Sequence, residues 1–87
     1  MFVILVYDIK EKRVAKVLRI CRKYLSWVQN SVFEGEISEA KYFKLKSELK
    51  KIIKEEEDSV LFYKFRTKNY YEREVMGIEK GGEENIF

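Results

Sequence analysis

The chain has 87 residues, a length that fits a single domain. It contains no histidine and one cysteine, so histidine acid–base catalysis, an internal disulfide and a cysteine-ligated zinc site are excluded. The net charge of +3 is uneven, because residues 1–54 carry 13 Lys/Arg against 6 Asp/Glu whereas residues 55–87 carry 5 against 9. A basic first part followed by an acidic second part predicts one surface that meets an anionic polymer.

Neither a membrane span nor a targeting segment is expected. No apolar run approaches the roughly 20 residues that a membrane span needs, and no basic leader precedes the first apolar run. We therefore expect a cytoplasmic protein that makes no membrane contact.

Residues 1–7 are apolar, and their β-branched and aromatic side chains predict a buried first strand. Asp8 ends this run and is one of two aspartates in the chain. A carboxylate at the exit of a rigid strand is well positioned to hold a metal ion. The alternative is that Asp8 only starts the next helix as a turn or cap residue before Lys10 and Glu11.

Residues 11–25 follow the spacing of an amphipathic helix. Cys21 falls on its apolar side and is expected to be a small core residue. The opposite side is predicted to be almost purely cationic, opposed only by Glu11. Its cations are Lys12, Arg13, Lys16, Arg19, Arg22 and Lys23. Such a face predicts binding to a nucleic-acid backbone by duplex shape and charge, with a lysine-rich solvated surface as the alternative.

Two short strands and a second helix are predicted next. Residues 27–37 favour two β-strands joined at Asn30 and Ser31, with a bend or bulge at Gly35. Ser38 is the predicted N-cap of the helix. The apolar stripe of this helix consists of Tyr42, Leu45, Leu49, Ile52 and Ile53.

The last part of the chain predicts two more strands. Asp58 is expected to start a central strand, residues 72–77 to form an edge strand, and residues 78–87 to form a flexible tail. The order β-α-β-β-α-β plus one strand indicates an α+β, ferredoxin-like domain over residues 1–77, with an antiparallel sheet and two helices on one face. The other face is apolar, which predicts a sheet-to-sheet homodimer.

Without histidine, the chemistry rests on carboxylates, tyrosines and bound metal. Mg²⁺ takes oxygen ligands, usually one or two carboxylates together with phosphate oxygens. One Asp8 side chain is a poor site for this ion. Two Asp8 side chains, one from each protomer across the two-fold axis of the predicted homodimer, would provide a magnesium site completed by water and phosphate.

Three segments together resemble the CRISPR-associated protein 2 family, the small subunit of the CRISPR adaptation machinery. They are LVYDI at residues 5–9, VQNSVFEG at residues 28–35 and DSV at residues 58–60, and the resemblance covers essentially the whole chain. It implies a ferredoxin-like homodimer whose C-terminal strand crosses to the partner subunit. It implies a metal-dependent endonuclease, acting on RNA or DNA, at Asp8. It also implies a scaffold that holds double-stranded prespacer DNA and bridges dimers of the CRISPR integrase for spacer acquisition.

The resemblance extends to individual residues. Tyr7 and Asp8 match the strand-end motif, Arg13 matches a basic position of the first helix, and Phe33 matches the aromatic residue of the hairpin. The acidic end of the chain, from Glu72 to Phe87, resembles members whose C-terminus docks on the integrase.

The chain departs from the family pattern at Trp27 and Asn30, where many relatives have an arginine and a tyrosine. Two other functions stay open. One is a free-standing endoribonuclease that resembles the toxin-like interferases of this fold and acts on single-stranded RNA. The other is a small-molecule-binding regulatory domain, since ferredoxin-like dimers often bind ligands.

Overall fold

The computed structural model describes residues 1–67 and 70–78, which form five strands and two helices. The elements are β1 (Phe2–Asp8), α1 (Glu11–Tyr24), β2 (Ser26–Gln29), β3 (Val32–Glu36), α2 (Glu39–Ile52), β4 (Ser59–Thr67) and β5 (Tyr70–Gly77). Neighbouring strands are antiparallel, and their order is β2-β3-β1-β4-β5. This is the predicted ferredoxin-like arrangement, with β5 added beside β4.

The hydrophobic core lies between the helices and one face of the sheet. Alternate residues of β1, Val3 and Leu5, are fully buried, and Leu5 pairs in register with Phe33 of β3 and Phe62 of β4. Cys21 of α1 lies in the same core, where burial raises the pKa of its thiol to about 12. The prediction that Cys21 is a packing residue is confirmed.

The start of α2 follows the sequence prediction. Ser38 is its N-cap, because the Ser38 hydroxyl accepts a hydrogen bond from the backbone N–H of Lys41 at 3.2 Å. Tyr42 then points into the core and packs edge-on against Phe62, with 5.2 Å between ring centroids.

The second face of the sheet, called the open face here, consists of the alternate residues of each strand. On β1 these are Phe2, Ile4 and Val6, and on β4 their register partners include Tyr63 and Phe65. All five are half-buried in this chain. The part of the open face on β1 and β4 is apolar, as the homodimer prediction requires, whereas the β3 partners of Ile4 and Phe2 are Glu34 and Glu36. The homodimer itself stays a prediction.

The β2–β3 hairpin turns at the predicted place but bulges elsewhere. Asn30 adopts a φ of 43°, the left-handed conformation that a tight turn uses. The prediction of a bulge at Gly35 is wrong: Gly35 pairs regularly with β1, and the register shift lies in β2 between Trp27 and Gln29. Gly35 instead leaves room for Leu25, whose Cδ2 would be 3.3 Å from an added Cβ.

β5 pairs with β4 of its own chain, from Ser59 opposite Gly77 to Thr67 opposite Tyr70. The resemblance implied that this strand crosses to a partner, whereas in this structure of one chain it pairs with β4 of the same chain. β5 ends at Gly77, whose φ of 89° brings the backbone so close to Asp58 that an added Cβ would lie 2.1 Å from the Asp58 carbonyl oxygen. Apart from Ile78, the predicted tail over 78–87 lies outside the described residues.

Charged side chains attach β5 to α2 of the same chain. Glu74 of β5 accepts hydrogen bonds from the Tyr42 hydroxyl and from the ammonium group of Lys46. The Lys64 ammonium lies 3.5 Å from the Glu74 carboxylate. These contacts hold the outermost strand against the helix layer.

A buried carboxylate joins the loops at the end of the sheet where β1 finishes. Asp58 is fully buried, and one of its oxygens accepts from the backbone N–H of Lys10 at 2.9 Å and the other from that of Lys54 at 2.8 Å. The Arg13 guanidinium donates to both oxygens, at 2.6 and 3.0 Å, and also to Glu57 at 2.8 Å. We call this group the Asp58 cluster. It fixes the start of α1 against the α2–β4 loop.

Replacement of Asp58 tests the cluster. In Asp58→Asn, an amide NH₂ faces backbone N–H donors and Arg13 loses its buried counter-charge, so we expect a loss of about 3 kcal/mol in the free energy of unfolding. The Arg13 guanidinium holds the pKa of the Asp58 carboxyl well below its usual range. The stability from this ionised carboxylate is therefore complete above its unfolded pKa of about 3.9 and is lost as pH falls from there towards the folded pKa.

Urea unfolding of the native chain and of Asp58→Asn across acidic pH measures both effects. Glu57→Gln is the matched control, since Glu57 contacts the same arginine but its side chain is 39% exposed, and it should cost far less. Equal losses in the two variants, or an unchanged acid dependence in Asp58→Asn, would contradict the assigned role.

Candidate nucleic-acid interface and acidic site

Asp8 is the last residue of β1, and its side chain is exposed. It pairs in register with Ser59, the first residue of β4. By the alternation of side chains along β1, Asp8 belongs to the open face together with Ile4 and Val6. The predicted acidic residue therefore stands at the rim of the apolar face, where a rigid strand meets solvent.

Asp8 is not the cap of α1. The N-cap residue is Lys10, no side-chain hydrogen bond caps this end, and Glu11 is the acidic residue of the first turn. The cap interpretation of Asp8 is wrong, because two residues of extended chain separate it from the helix.

Within the described part of the chain, the side chains of one copy do not build a magnesium site. Asp58, the residue before Ser59, is also near the end of β1. Both of its carboxylate oxygens, however, already accept hydrogen bonds within the Asp58 cluster. Over residues 1–67 and 70–78, no group of three or more Cys, Asp or Glu side chains is arranged to hold a metal ion. For Mg²⁺ at Asp8 we expect further ligands from a second copy of the chain, from water or from a bound phosphate.

Tyr7 and Phe33, the two predicted supporting residues, pack against each other. Their ring centroids are 6.1 Å apart, and Phe33 is fully buried. The Tyr7 hydroxyl donates to the carbonyl of Asn30 at 3.4 Å, and its backbone N–H donates to the carbonyl of Ser31 at 3.0 Å. Phe33 thus supports the end of β1 from inside the core, and Tyr7 ties that end to the hairpin turn.

The cations of α1 form an exposed stripe on the helix-bearing side of the molecule. Lys12, Lys16, Arg19 and Lys23 follow one another at three- and four-residue spacing, and Arg22 is exposed beside them. The Lys23 ammonium is partly neutralised by an ion pair with Glu48 of α2. A row of exposed cations along a helix suits the regularly spaced phosphates of a nucleic-acid strand.

Arg13 does not belong to this stripe. The prediction assigned its side chain to the exposed cationic face, but Arg13 is only 8% exposed and its guanidinium is bonded to Asp58 and Glu57. The hydrogen bonds to these two carboxylates raise the pKa of the Arg13 guanidinium above its ordinary value. Arg13 therefore acts inside the protein, and its charge is compensated there.

The spacing of residues in α1 is a sequence signal for the burial of Arg13. Arg13 precedes Val17 by four residues and Cys21 by eight, so all three lie on one row of α1, the row that the structure buries. A cation on a buried row needs an internal carboxylate. Asp58, which directly precedes the apolar strand β4, is the acid that supplies it.

The two positions that depart from the family pattern meet at the hairpin. Trp27 is exposed on β2, and its indole N–H donates to the carbonyl of Asn30 at 3.0 Å.

No helix within the described ranges is long and apolar enough to cross a membrane.

Comparisons with known proteins agree with this fold. A family model described as CRISPR associated protein Cas2 matches residues 1–73. A CRISPR-associated endoribonuclease Cas2 from Dictyoglomus turgidum is 58% identical over 86 residues, which covers 99% of each chain. One from Thermotoga maritima is 56% identical over 87 residues and covers 100% of each chain.

Solved structures agree as well. A crystal structure described as cas2 superposes with a TM-score of 0.74 at 48% identity, and covers 93% of this chain and 91% of the other. Streptococcus pyogenes Cas2 superposes with a TM-score of 0.69 at 37% identity, covering 79% and 89%. With matching sequence and fold, the chain belongs to the CRISPR-associated protein Cas2 family.

Proposed function

We propose that this chain works in CRISPR adaptation as a homodimer that holds double-stranded prespacer DNA and bridges dimers of the CRISPR integrase, with a magnesium-dependent endonuclease activity at Asp8. The observation that carries the proposal is the position of Asp8, exposed at the end of β1 on the rim of the open face. The exposed cations of α1 supply the DNA-holding part.

The open face supports the proposed dimer. Phe2, Ile4, Val6, Tyr63 and Phe65 are only half-buried in one chain, and a second copy packed face to face would remove them from water. Because Asp8 shares this face, the same packing brings the Asp8 residues of both copies to the rim of the interface. Membership of the family and the fit of the fold to solved Cas2 structures support this arrangement.

In the proposed homodimer, the Asp8 carboxylates of the two copies would bind Mg²⁺. Exposed carboxylate oxygens are ligands that Mg²⁺ accepts, and phosphate oxygens of the nucleic acid would complete its shell. When bound, the ion would stabilise negative charge on a phosphate and favour attack by water. The protein contributes the position of the carboxylate, which the rigid end of β1 fixes.

A free-standing endoribonuclease is the second candidate. The relatives from Dictyoglomus turgidum and Thermotoga maritima carry that activity in their names, and they match the whole chain at more than half identity. The two candidates differ in ligand and partner: one holds duplex DNA with an integrase, the other cleaves single-stranded RNA alone.

Substitution of Asp8 tests the catalytic assignment. Asp8→Asn keeps the size of the side chain but removes the charge that Mg²⁺ requires, so we expect magnesium-dependent cleavage of labelled RNA and DNA to fall by at least about a hundredfold. Glu11→Gln, an exposed acid in the first turn of α1, is the matched control and should retain activity. Activity that persists in highly purified Asp8→Asn would remove Asp8 from the catalytic site.

Charge reversal on α1 tests the DNA-holding surface. With Lys12, Lys16 and Arg19 changed to Glu, we expect weaker duplex binding and a shallower dependence of affinity on salt. The log–log slope should decrease by about 0.9 for each phosphate that the helix no longer neutralises. Fluorescence anisotropy over a salt series measures both quantities.

The control for this test reverses Lys41, Lys44 and Lys50, which are exposed on α2. It changes the net charge by the same amount without touching the α1 stripe. Equal weakening in both triple variants would assign duplex binding to net charge rather than to α1.

Removal of residues 79–87 tests the docking role of the acidic end. This deletion keeps the hydrogen bond from Ile78 N–H to the Asp58 carbonyl, so the fold should remain. We expect binding to the CRISPR integrase of the same organism to weaken about tenfold, or about 1.4 kcal/mol, while duplex affinity is retained. Calorimetry with the purified integrase measures this, and an unchanged integrase affinity would exclude docking through this segment.

A further inference from the structure

Trp27 is a large aromatic side chain that the fold leaves uncovered. It is the only tryptophan in the chain, and it is 57% exposed on the edge strand β2. Its one polar group is satisfied, because the indole N–H donates to the Asn30 carbonyl at 3.0 Å. The hydrogen bond fixes the orientation of the ring, while the ring surface remains available to a ligand.

The turn that holds this ring is itself constrained. Asn30 has a φ of 43°, and its carbonyl also lies 3.4 Å from the hydroxyl of Tyr7. Tyr7 in turn is packed against the buried ring of Phe33. Trp27 is thus held by a hydrogen bond to a turn that is anchored to the core, so little ordering remains to be done when a ligand stacks on it.

The side of the sheet on which Trp27 lies identifies the kind of ligand. Trp27 pairs in register with Phe33, a core residue, so its side chain belongs to the helix-bearing side of the sheet rather than to the open face. A homodimer that packs through the open face leaves Trp27 exposed. The cations of α1 lie on this same side, and the last turn of α1, which carries Arg22 and Lys23, leads through Leu25 directly into β2.

An aromatic platform beside a row of cations is the combination that proteins use to bind single-stranded nucleic acid. The cations contact the phosphates, and the ring stacks on a base without selecting its identity. A base pair inside a duplex hides both faces in the helical stack, so along a duplex, away from its two ends, only an unpaired base can use the platform. An apolar protein partner would gain nothing from the neighbouring cations.

We propose that Trp27 is a stacking platform for an unpaired nucleobase, so that the chain prefers nucleic acid with a single-stranded segment over a fully paired duplex. The inference rests on the proposed function, since it requires nucleic acid as the ligand. It adds to that function a preference for unpaired segments and names the residue that would contact them.

Phe43 provides a matched comparison. It is 61% exposed on α2, slightly more than Trp27, but the Lys46 ammonium lies 5.8 Å from the centre of its ring and the Tyr42 ring lies 6.0 Å away. Its ring is therefore engaged by neighbours of its own helix. Phe43→Ala removes a similar exposed aromatic surface without touching the platform.

The experiment uses the tryptophan as its own reporter. The full chain is titrated with a blunt duplex, with the same duplex carrying a single-stranded thymidine extension, and with a single-stranded uridine oligonucleotide. Affinity is measured by anisotropy of the labelled nucleic acid, and stacking by quenching of tryptophan fluorescence. We expect quenching with the two ligands that carry unpaired bases and none with the blunt duplex.

Three variants separate stacking from general binding. Trp27→Ala should weaken binding of the two ligands with unpaired bases about tenfold and leave the blunt duplex unaffected. Trp27→Phe should recover most of that affinity, because it restores an aromatic ring, and Phe43→Ala should bind like the native chain. Circular dichroism confirms that each variant is folded.

Each remaining outcome overturns the proposal in a distinguishable way. Binding of all three nucleic acids without quenching, or an equal decrease for all three in Trp27→Ala, excludes stacking and leaves the proposed function intact. No binding of any nucleic acid by the native chain overturns the proposed function as well. Quenching that follows protein concentration alone would assign Trp27 to a contact between copies of the chain.

Discussion

The buried carboxylate of Asp58 is the contact on which the rest of this end of the molecule depends. A charged group withdrawn from water is tolerated only when its oxygens are fully bonded, and here the donors come from α1, from the residue before α1 and from the loop before β4. The backbone carbonyl of Asp58 also accepts from Ile78, after β5. One residue thereby fixes both the connection from β1 to α1 and the point where the chain leaves the sheet.

The two aspartates of the chain have opposite environments although they lie at the same end of the sheet. Asp58 is surrounded by donors, and its ionised form is part of the folded structure. Asp8 pairs with the next residue, Ser59, and its side chain is exposed. Asp58 accepts a hydrogen bond from the backbone N–H of Lys10, two residues after Asp8. The Asp58 cluster thereby fixes the chain next to Asp8, while the Asp8 carboxylate stays exposed.

More of the architecture than of the candidate site could be predicted from the sequence. Hydrophobic periodicity is a local property, and it indicated the order of elements and the buried Cys21, while local helix-start chemistry indicated the Ser38 cap. The burial of Arg13 is not local, because its partner Asp58 lies 45 residues away, and charge alone assigned it to the surface. The bulge in β2 was missed for a related reason: register depends on what the neighbouring strand presents, which the position of a glycine does not encode.

The two sides of the sheet separate the proposed nucleic-acid-binding residues from the proposed cleavage residue. Asp8 belongs to the open face, whereas the α1 cations and Trp27 lie on the helix-bearing side. A nucleic acid bound along α1 therefore meets Asp8 only where it passes the end of the sheet. Binding by the proposed cationic stripe needs no contact with the carboxylate, so a scaffold role can operate without cleavage. The proposed cleavage at Asp8, in contrast, would need a strand that bends past the rim of the open face, and a single strand bends far more readily than a duplex.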